Sequence, residues 1–187
     1  LAGNIGQPAL SVLPKLNKKS LVVLEMSSFQ LQDLEQSPEI AVITSIFPDH
    51  QDVHPDFQRY LKAKLSIVRY QKKSDKVFYN NKIALGGMGQ KVAIETGGFK
   101  NFSLSDLLLP GPHNLGNAIM AFVVTRSLGC PLKKVIKTIK SFRGLPHRLE
   151  FVGEIKGARF YNDSASTAPE TTVAAVQSFR EPKILIV

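Results

Sequence analysis

Apolar residues recur along this chain in two alternating rhythms. Short, nearly unbroken apolar runs occupy residues 21–26, 40–46, 76–79, 91–95, 151–155, 158–161 and 183–187. Between them, apolar positions return every three or four residues over 8–16, 55–70, 113–128, 132–142 and 169–179. The first rhythm predicts strands and the second helices. Strands that are apolar throughout, alternating with amphipathic helices, predict an α/β fold with a mostly parallel sheet flanked by helices. Residues 80–101 fit neither rhythm, and glycines at 86, 87, 89, 97 and 98 predict a hairpin-like or loop-rich periphery there.

Polarity switches abruptly where several of these runs end. Leu21 to Leu24 reads as a buried strand, followed at once by Glu25 and the hydroxyls of Ser27 and Ser28. In open α/β sheets the carboxyl ends of strands are where ligands bind, although a solvated loop gives the same pattern. The run ending at Ile46 leads into Asp49, His50, Asp52 and His54, oxygen and imidazole groups that suit a divalent cation or, equally, turns and caps. In the helix that follows, Phe57, Tyr60, Leu61, Leu65, Ile67 and Val68 form one apolar face at about 100° per residue. Lys64 falls within that face, while Arg59, Lys62 and Arg69 point away. A lysine there either snorkels to water or, if buried, becomes a neutral amine open to modification.

Three later segments carry further candidates. Asn114 and Asn117, spaced i and i+3 at a helix start, can read adenine bidentately or can cap the helix. His147 and Arg148 sit in a turn before a strand, where arginine either clamps phosphate or makes a surface ion pair. Asp163, Ser164, Ser166 and Thr167 leave another strand, with Pro169 and Glu170 suited to the first turn of the next helix.

Composition narrows the function classes. At 187 residues with 43% hydrophobic and 21% charged positions, the chain is ordinary for a globular domain. The single cysteine, Cys130, excludes an intrachain disulfide and fits a reducing cytoplasm. No run approaches the roughly 20 residues needed to cross a bilayer, so no membrane role is expected. The net charge of +9 permits nucleic-acid binding. Yet Lys133, Lys134, Lys137 and Lys140 surround the apolar set Leu132, Val135, Ile136, Ile139 and Phe142, the pattern of a solvated helix face. An anionic small molecule explains the charge as well, and no nucleic-acid partner is expected. Gly86-Gly-Met-Gly-Gln-Lys91 matches neither phosphate-loop pattern. The start at Leu1 and the strand-like finish at 183–187 suggest a segment of something longer.

Seven segments resemble, in order, the motifs of the Mur ligases of peptidoglycan synthesis. They are Gly3-Asn-Ile-Gly6, Glu25-Met-Ser-Ser-Phe-Gln-Leu31, Pro48-Asp-His50, Ala63-Lys-Leu65, Gly111-Pro-His-Asn-Leu-Gly-Asn117, Gly144-Leu-Pro-His-Arg148 and Asn162-Asp-Ser164. The first two point to the D-glutamate-adding branch. The resemblance implies a central ATP-binding domain of Rossmann-like, P-loop type over residues 1–180, lacking its Walker A segment, with 181–187 as the first strand of a C-terminal domain. It implies a cytoplasmic, monomeric, ATP-dependent ligase acting on UDP-N-acetylmuramoyl-L-alanine and D-glutamate through an acyl phosphate, inactive as the isolated segment.

By the same resemblance, Glu25, His50 and Lys64, the last as its carbamate, hold two magnesium ions. Asn114 and Asn117 contact adenine, Asp163 ribose, and Arg148 the phosphates with His147 nearby. Asn4 and Ser27 lie near the transferred phosphate or substrate carboxylate, and Thr167 near D-glutamate. Ala165 departs from the lysine common at that position, which removes one cationic contact. Another Mur ligase, a folylpolyglutamate-synthetase-like ligase, and a non-catalytic nucleotide- or nucleic-acid-binding module are the alternatives.

Overall fold

The computed structural model describes residues 1–47, 56–80 and 83–186. Strands and helices alternate as the two rhythms require: β1 (Ala2–Gly3), α1 (Ala9–Val12), β2 (Leu24–Glu25), α2 (Ser28–Gln32), β3 (Ile40–Ile43), α3 (Phe57–Arg69), β4 (Lys76–Asn80), β5 (Gln90–Ile94), α4 (Pro112–Ser127), α5 (Leu132–Ser141), β6 (Glu150–Ile155), β7 (Ala158–Asn162) and α6 (Pro169–Gln177). The class is α/β. β1 and β2 pair in parallel, β3, β4 and β5 form a three-stranded sheet in that order, and β6 and β7 make an antiparallel hairpin.

Two compact units divide the chain. The first carries β1, α1, β2, α2 and α3, with α2 packed on α3. Asp56 caps α3 by accepting the Arg59 N–H at 2.8 Å, which satisfies one donor left open at a helix start. Tyr60, Ala63, Ser66 and Val68 form the buried stripe of α3. This is narrower than the expected face, because Phe57 stays exposed and Leu61 and Leu65 line a surface hollow of about 400 Å³. After α3, the buried Gln71 amide donates to the carbonyls of Pro38 and Lys76 at 3.1 and 3.0 Å, tying the helix end to the starts of β3 and β4.

Two sequence expectations fail in this half, each for a physical reason. The segment expected to be helical over 8–16 stops at Val12 and continues as a 3-10 turn, Leu13–Lys15. Pro14 has no N–H to continue the α-ladder. The run 21–24 is not a buried strand: Leu21 is 70% and Val23 56% exposed, and pairing is confined to Leu24–Glu25. Among the described residues β1 alone pairs with it, and only over two positions, so no layer covers those side chains.

In the second unit α4 packs on α5, and Phe99, Phe102 and Phe122 meet edge-on at centroid distances of 4.8 to 5.8 Å. Lys156 and Gly157, at φ 51° and 80°, form the two-residue turn whose twist suits the β6–β7 hairpin. The expected strand at 183–187 is absent over 183–186, where Ile184 is 94% exposed. With no neighbouring strand among the described residues to accept its backbone, an apolar sequence alone does not make one.

Gly111, the N-cap of α4, has φ 97°, and a side chain there would run into the Ser178 hydroxyl and the His113 ring. Gly111→Ala is expected to destabilise the fold by about 2 kcal/mol, a fall of roughly 4–8 °C in Tm by calorimetry. A second expectation concerns Asp106, which bonds Lys140 Nζ at 2.7 Å and the Ser103 N–H at 2.8 Å. The Lys140 hydrogen bond, followed by those from Ser103, lowers its pKa from 3.8 to about 2. A depressed carboxylate stabilises the fold above its unfolded pKa and loses that contribution as pH falls through the folded one. The Tm gap between wild type and Asp106→Asn should therefore be present at neutral pH and close between about pH 4 and pH 2.

Candidate functional site

Within the second unit, α4, α5 and the segments flanking them enclose a cavity of about 390 Å³. Leu107, Leu109, Ala118, Ala121, Ile139 and Phe142 make its walls apolar, while Asn114, Asn117 and Arg148 bring the polar groups. An apolar hollow with a few convergent polar side chains is the usual form of a small-molecule site. Asn114 does not cap α4, since Gly111 is the N-cap; its Nδ2 donates instead to the Pro110 carbonyl at 2.7 Å. That bond fixes the amide and leaves it one N–H and its carbonyl oxygen. Asn117, one turn on, is exposed at the same cavity. The brace from Lys140 to Asp106 joins α5 to the 3-10 turn that precedes Leu107 and Leu109. It thereby ties two walls together.

Arg148 reaches this cavity from an unusual backbone. His147 and Leu149 on either side of it have φ of 63° and 46°, a region that costs a non-glycine residue roughly 1–3 kcal/mol. Hydrogen bonds offset that strain. The His147 N–H donates to Glu150 Oε2 at 2.8 Å, and the His147 carbonyl accepts from the Ala165 N–H at 3.0 Å. Asp163 takes the Leu149 N–H on Oδ1 at 2.9 Å and the Ser166 hydroxyl on Oδ2 at 2.6 Å. The His113 imidazole is held below its ordinary 6.5 by desolvation, with the Asp163 charge pulling the other way. Thr167 is exposed, just before the Ala168 N-cap of α6.

The first unit holds the remaining candidates. Gly3 lies opposite Glu25 in the β1–β2 pair, and the Asn4 N–H donates to the Glu25 carbonyl at 2.8 Å. Gly3 has φ 118°, and a Cβ there would overlap that carbonyl, so only glycine permits the approach. Glu25 Oε2 is buried with no hydrogen-bond partner among the described residues. A buried carboxylate oxygen is costly unless something pairs with it, and a hard divalent cation is the natural complement. Ser27 is the N-cap of α2 in a reciprocal capping box with Gln30, so the residue proposed as a substrate contact also holds the helix start. α2 packs on α3, which carries Lys64. The Lys64 ammonium lies 5.5 Å from the Tyr60 ring centroid, half-buried along the helix. Asp49, His50, Asp52 and His54 lie outside the described residues. Among the described residues no group of three or more His, Cys, Asp or Glu side chains converges as a metal site.

Asn114, Asn117 and Arg148 thus share one cavity, and Asp163 and His147 sit on the two segments bonded together beside it. Asn4 and Glu25 are joined through the backbone. Two residues of the site went unassigned by sequence reasoning: Glu150, whose carboxylate holds His147, and Asn162, whose amide meets the His147 ring nitrogen Nδ1 at 2.9 Å. The hairpin turn at Lys156-Gly157 alone would have set Glu150 opposite Asp163; a β-bulge between Phe151 and Gly153 shifts the register by one residue and brings Glu150 opposite Asn162. No helix among the described residues is long and apolar enough to cross a membrane.

Residues 4–94 match the family model described as Mur ligase middle domain. Over its whole length the chain is 36% identical to the UDP-N-acetylmuramoylalanine--D-glutamate ligase of Clostridium kluyveri, of which it covers 45%. It is 35% identical to the enzymes of that name from Clostridium tetani and Acetivibrio thermocellus, covering 45% and 46% of them. The chain therefore spans a little under half the length of these relatives. A crystal structure of MurF from Acinetobacter baumannii shares the fold, with a TM-score of 0.61 at 20% identity over 81% of this chain and 38% of that one. The ordered motifs, the matched middle domain and the relatives at 35–36% identity agree: the chain belongs to the Mur ligase family.

Proposed function

We propose that this chain supplies part of the ATP-binding region of a cytoplasmic, monomeric ligase that joins D-glutamate to UDP-N-acetylmuramoyl-L-alanine. The observation that carries the reading is the cavity of about 390 Å³ in which Asn114, Asn117 and Arg148 meet among apolar walls. The whole-length similarity to ligases named for D-glutamate supports that member over MurF-like relatives. Residues 1–180 are assigned to the ATP-binding domain and 181–187 to the start of a following one.

In this reading adenine enters the apolar cavity and meets the two asparagine amides. Arg148 faces the phosphates with His147 beside it, and Asp163 offers ribose the lone pairs left over from its two protein bonds. The reaction begins when the substrate carboxylate attacks the γ-phosphorus and the bond to the ADP oxygen breaks, giving an acyl phosphate. The D-glutamate amine then attacks the carbonyl carbon, a proton is lost, and phosphate departs from the tetrahedral centre. Catalysis of this kind is mainly positioning and charge stabilisation.

Glu25, His50 and Lys64 are the residues that would hold two magnesium ions, and the buried Glu25 oxygen, without a partner among the described residues, fits that role. Magnesium, when bound, neutralises charge on the transferred phosphoryl group. Lys64 joins this set as a carbamate: its neutral amine bonds to carbon dioxide, sheds a proton and becomes a carboxylate. Asn4 and Ser27 are assigned to the transferred phosphate or the substrate carboxylate, and Thr167 to D-glutamate.

In the protein that carries this chain, phosphate release from ATP should require both UDP-N-acetylmuramoyl-L-alanine and D-glutamate. Equal release with meso-diaminopimelate in place of D-glutamate would show that the amino-acid assignment is wrong. Lys64→Ala should lower turnover at least about a hundredfold, with no recovery on adding bicarbonate. Near-normal turnover in that variant excludes the carbamate.

A further inference from the structure

The register of the β6–β7 hairpin sets Glu150 directly opposite Asn162 at its open end. Both side chains reach the same residue: Glu150 Oε2 accepts the His147 N–H at 2.8 Å, and Asn162 Nδ2 meets His147 Nδ1 at 2.9 Å. The Asn162 carbonyl oxygen in turn accepts the Ser164 N–H at 3.1 Å, which fixes the amide's orientation. His147 has φ 63° and Leu149 φ 46°, so Arg148 stands between two residues in a conformation that free chains seldom adopt. Arg148 lines the cavity that also holds Asn114 and Asn117.

We infer that Glu150 and Asn162 are positioning residues for Arg148, a clasp at the base of the hairpin that holds the left-handed turn and so aims the guanidinium at the anionic part of a bound nucleotide. The inference rests on the nucleotide reading of the cavity. Neither residue lines the cavity. Without the clasp the turn relaxes toward ordinary backbone geometry and Arg148 samples directions away from the cavity. An arginine fork acts on phosphate only when its plane is correctly presented, so a loss of orientation is a loss of binding.

The test is the affinity of the protein for a fluorescent N-methylanthraniloyl-ATP with magnesium, alongside Tm for each variant. Arg148→Ala should weaken binding by about tenfold. Glu150→Ala and Asn162→Ala should each weaken it by about fivefold, and Glu150→Gln, which keeps an acceptor oxygen for the His147 N–H, should restore most of that loss. In the Arg148→Ala background, adding Glu150→Ala should change affinity less than twofold, because residues acting through one group do not add. A merely structural role gives a further loss of the same size in that background, and this overturns the clasp. So does wild-type affinity in both Glu150→Ala and Asn162→Ala when Arg148→Ala is weak. If Glu150→Ala fails to fold, Asn162→Ala and Glu150→Gln decide by the same comparison. Wild-type affinity in Arg148→Ala itself overturns the nucleotide reading together with the clasp.

Discussion

The second unit depends on a backbone that has to be held against its own preference. Positive φ at His147 and again at Leu149 is uphill for side-chain-bearing residues, and such strain persists only where the surroundings over-determine it. Here the surroundings are specific. The hairpin fixes where Glu150 and Asn162 stand, and the loop after β7 supplies Asp163 and the Ala165 N–H. Leu149 is buried, so the turn is anchored by packing as well as by polar bonds. The β-bulge between Phe151 and Gly153 contributes at a distance, because without its extra residue Glu150 would fall opposite Asp163 instead of Asn162.

Long periodic segments were the readable part of the sequence. α3, α4, α5 and the β6–β7 hairpin fall within two residues of expectation, since each carries enough apolar repeats and a recognisable start or stop. The shorter pieces were missed: α2 is five residues long, and its capping box at Ser27 and Gln30 sits inside a stretch dominated by the polar switch at Glu25. The runs at 21–24 and 183–186 failed for the opposite reason. Apolar content marks them as strand-forming, but a strand exists only through its neighbours, and sequence periodicity carries no information about whether a neighbour is present. The expected site followed the same division. Asn114, Asn117 and Arg148 came from local motifs and converge on one cavity. Glu150 and Asn162 meet through strand register, a long-range property that the Asn162-Asp-Ser164 motif does not itself display.

The first unit shows a different kind of economy. Gly3 allows β1 to approach β2 closely enough for Asn4 to bond the Glu25 carbonyl, while the Glu25 side chain keeps one buried oxygen without a partner among the described residues. The same strand end then begins α2 through the Ser27 cap, and α2 rests on the helix that bears Lys64. A carboxylate, a capped helix and a partly covered lysine are thus linked by short covalent and packed steps. Two cations serve local partners: Lys140 pairs with Asp106 and Lys64 lies along Tyr60.

The hydrogen-bond inventory of the cavity bears on which base it suits. Asn114 commits one N–H to the Pro110 carbonyl, leaving one donor and one acceptor. Adenine presents a ring-nitrogen acceptor beside an amino donor, which complements that remaining pair. Guanine presents two acceptors on the corresponding edge, and its carbonyl would face the amide oxygen in repulsion. The bond to Pro110 therefore orients Asn114 without spending the donor–acceptor pair that a base such as the proposed adenine requires.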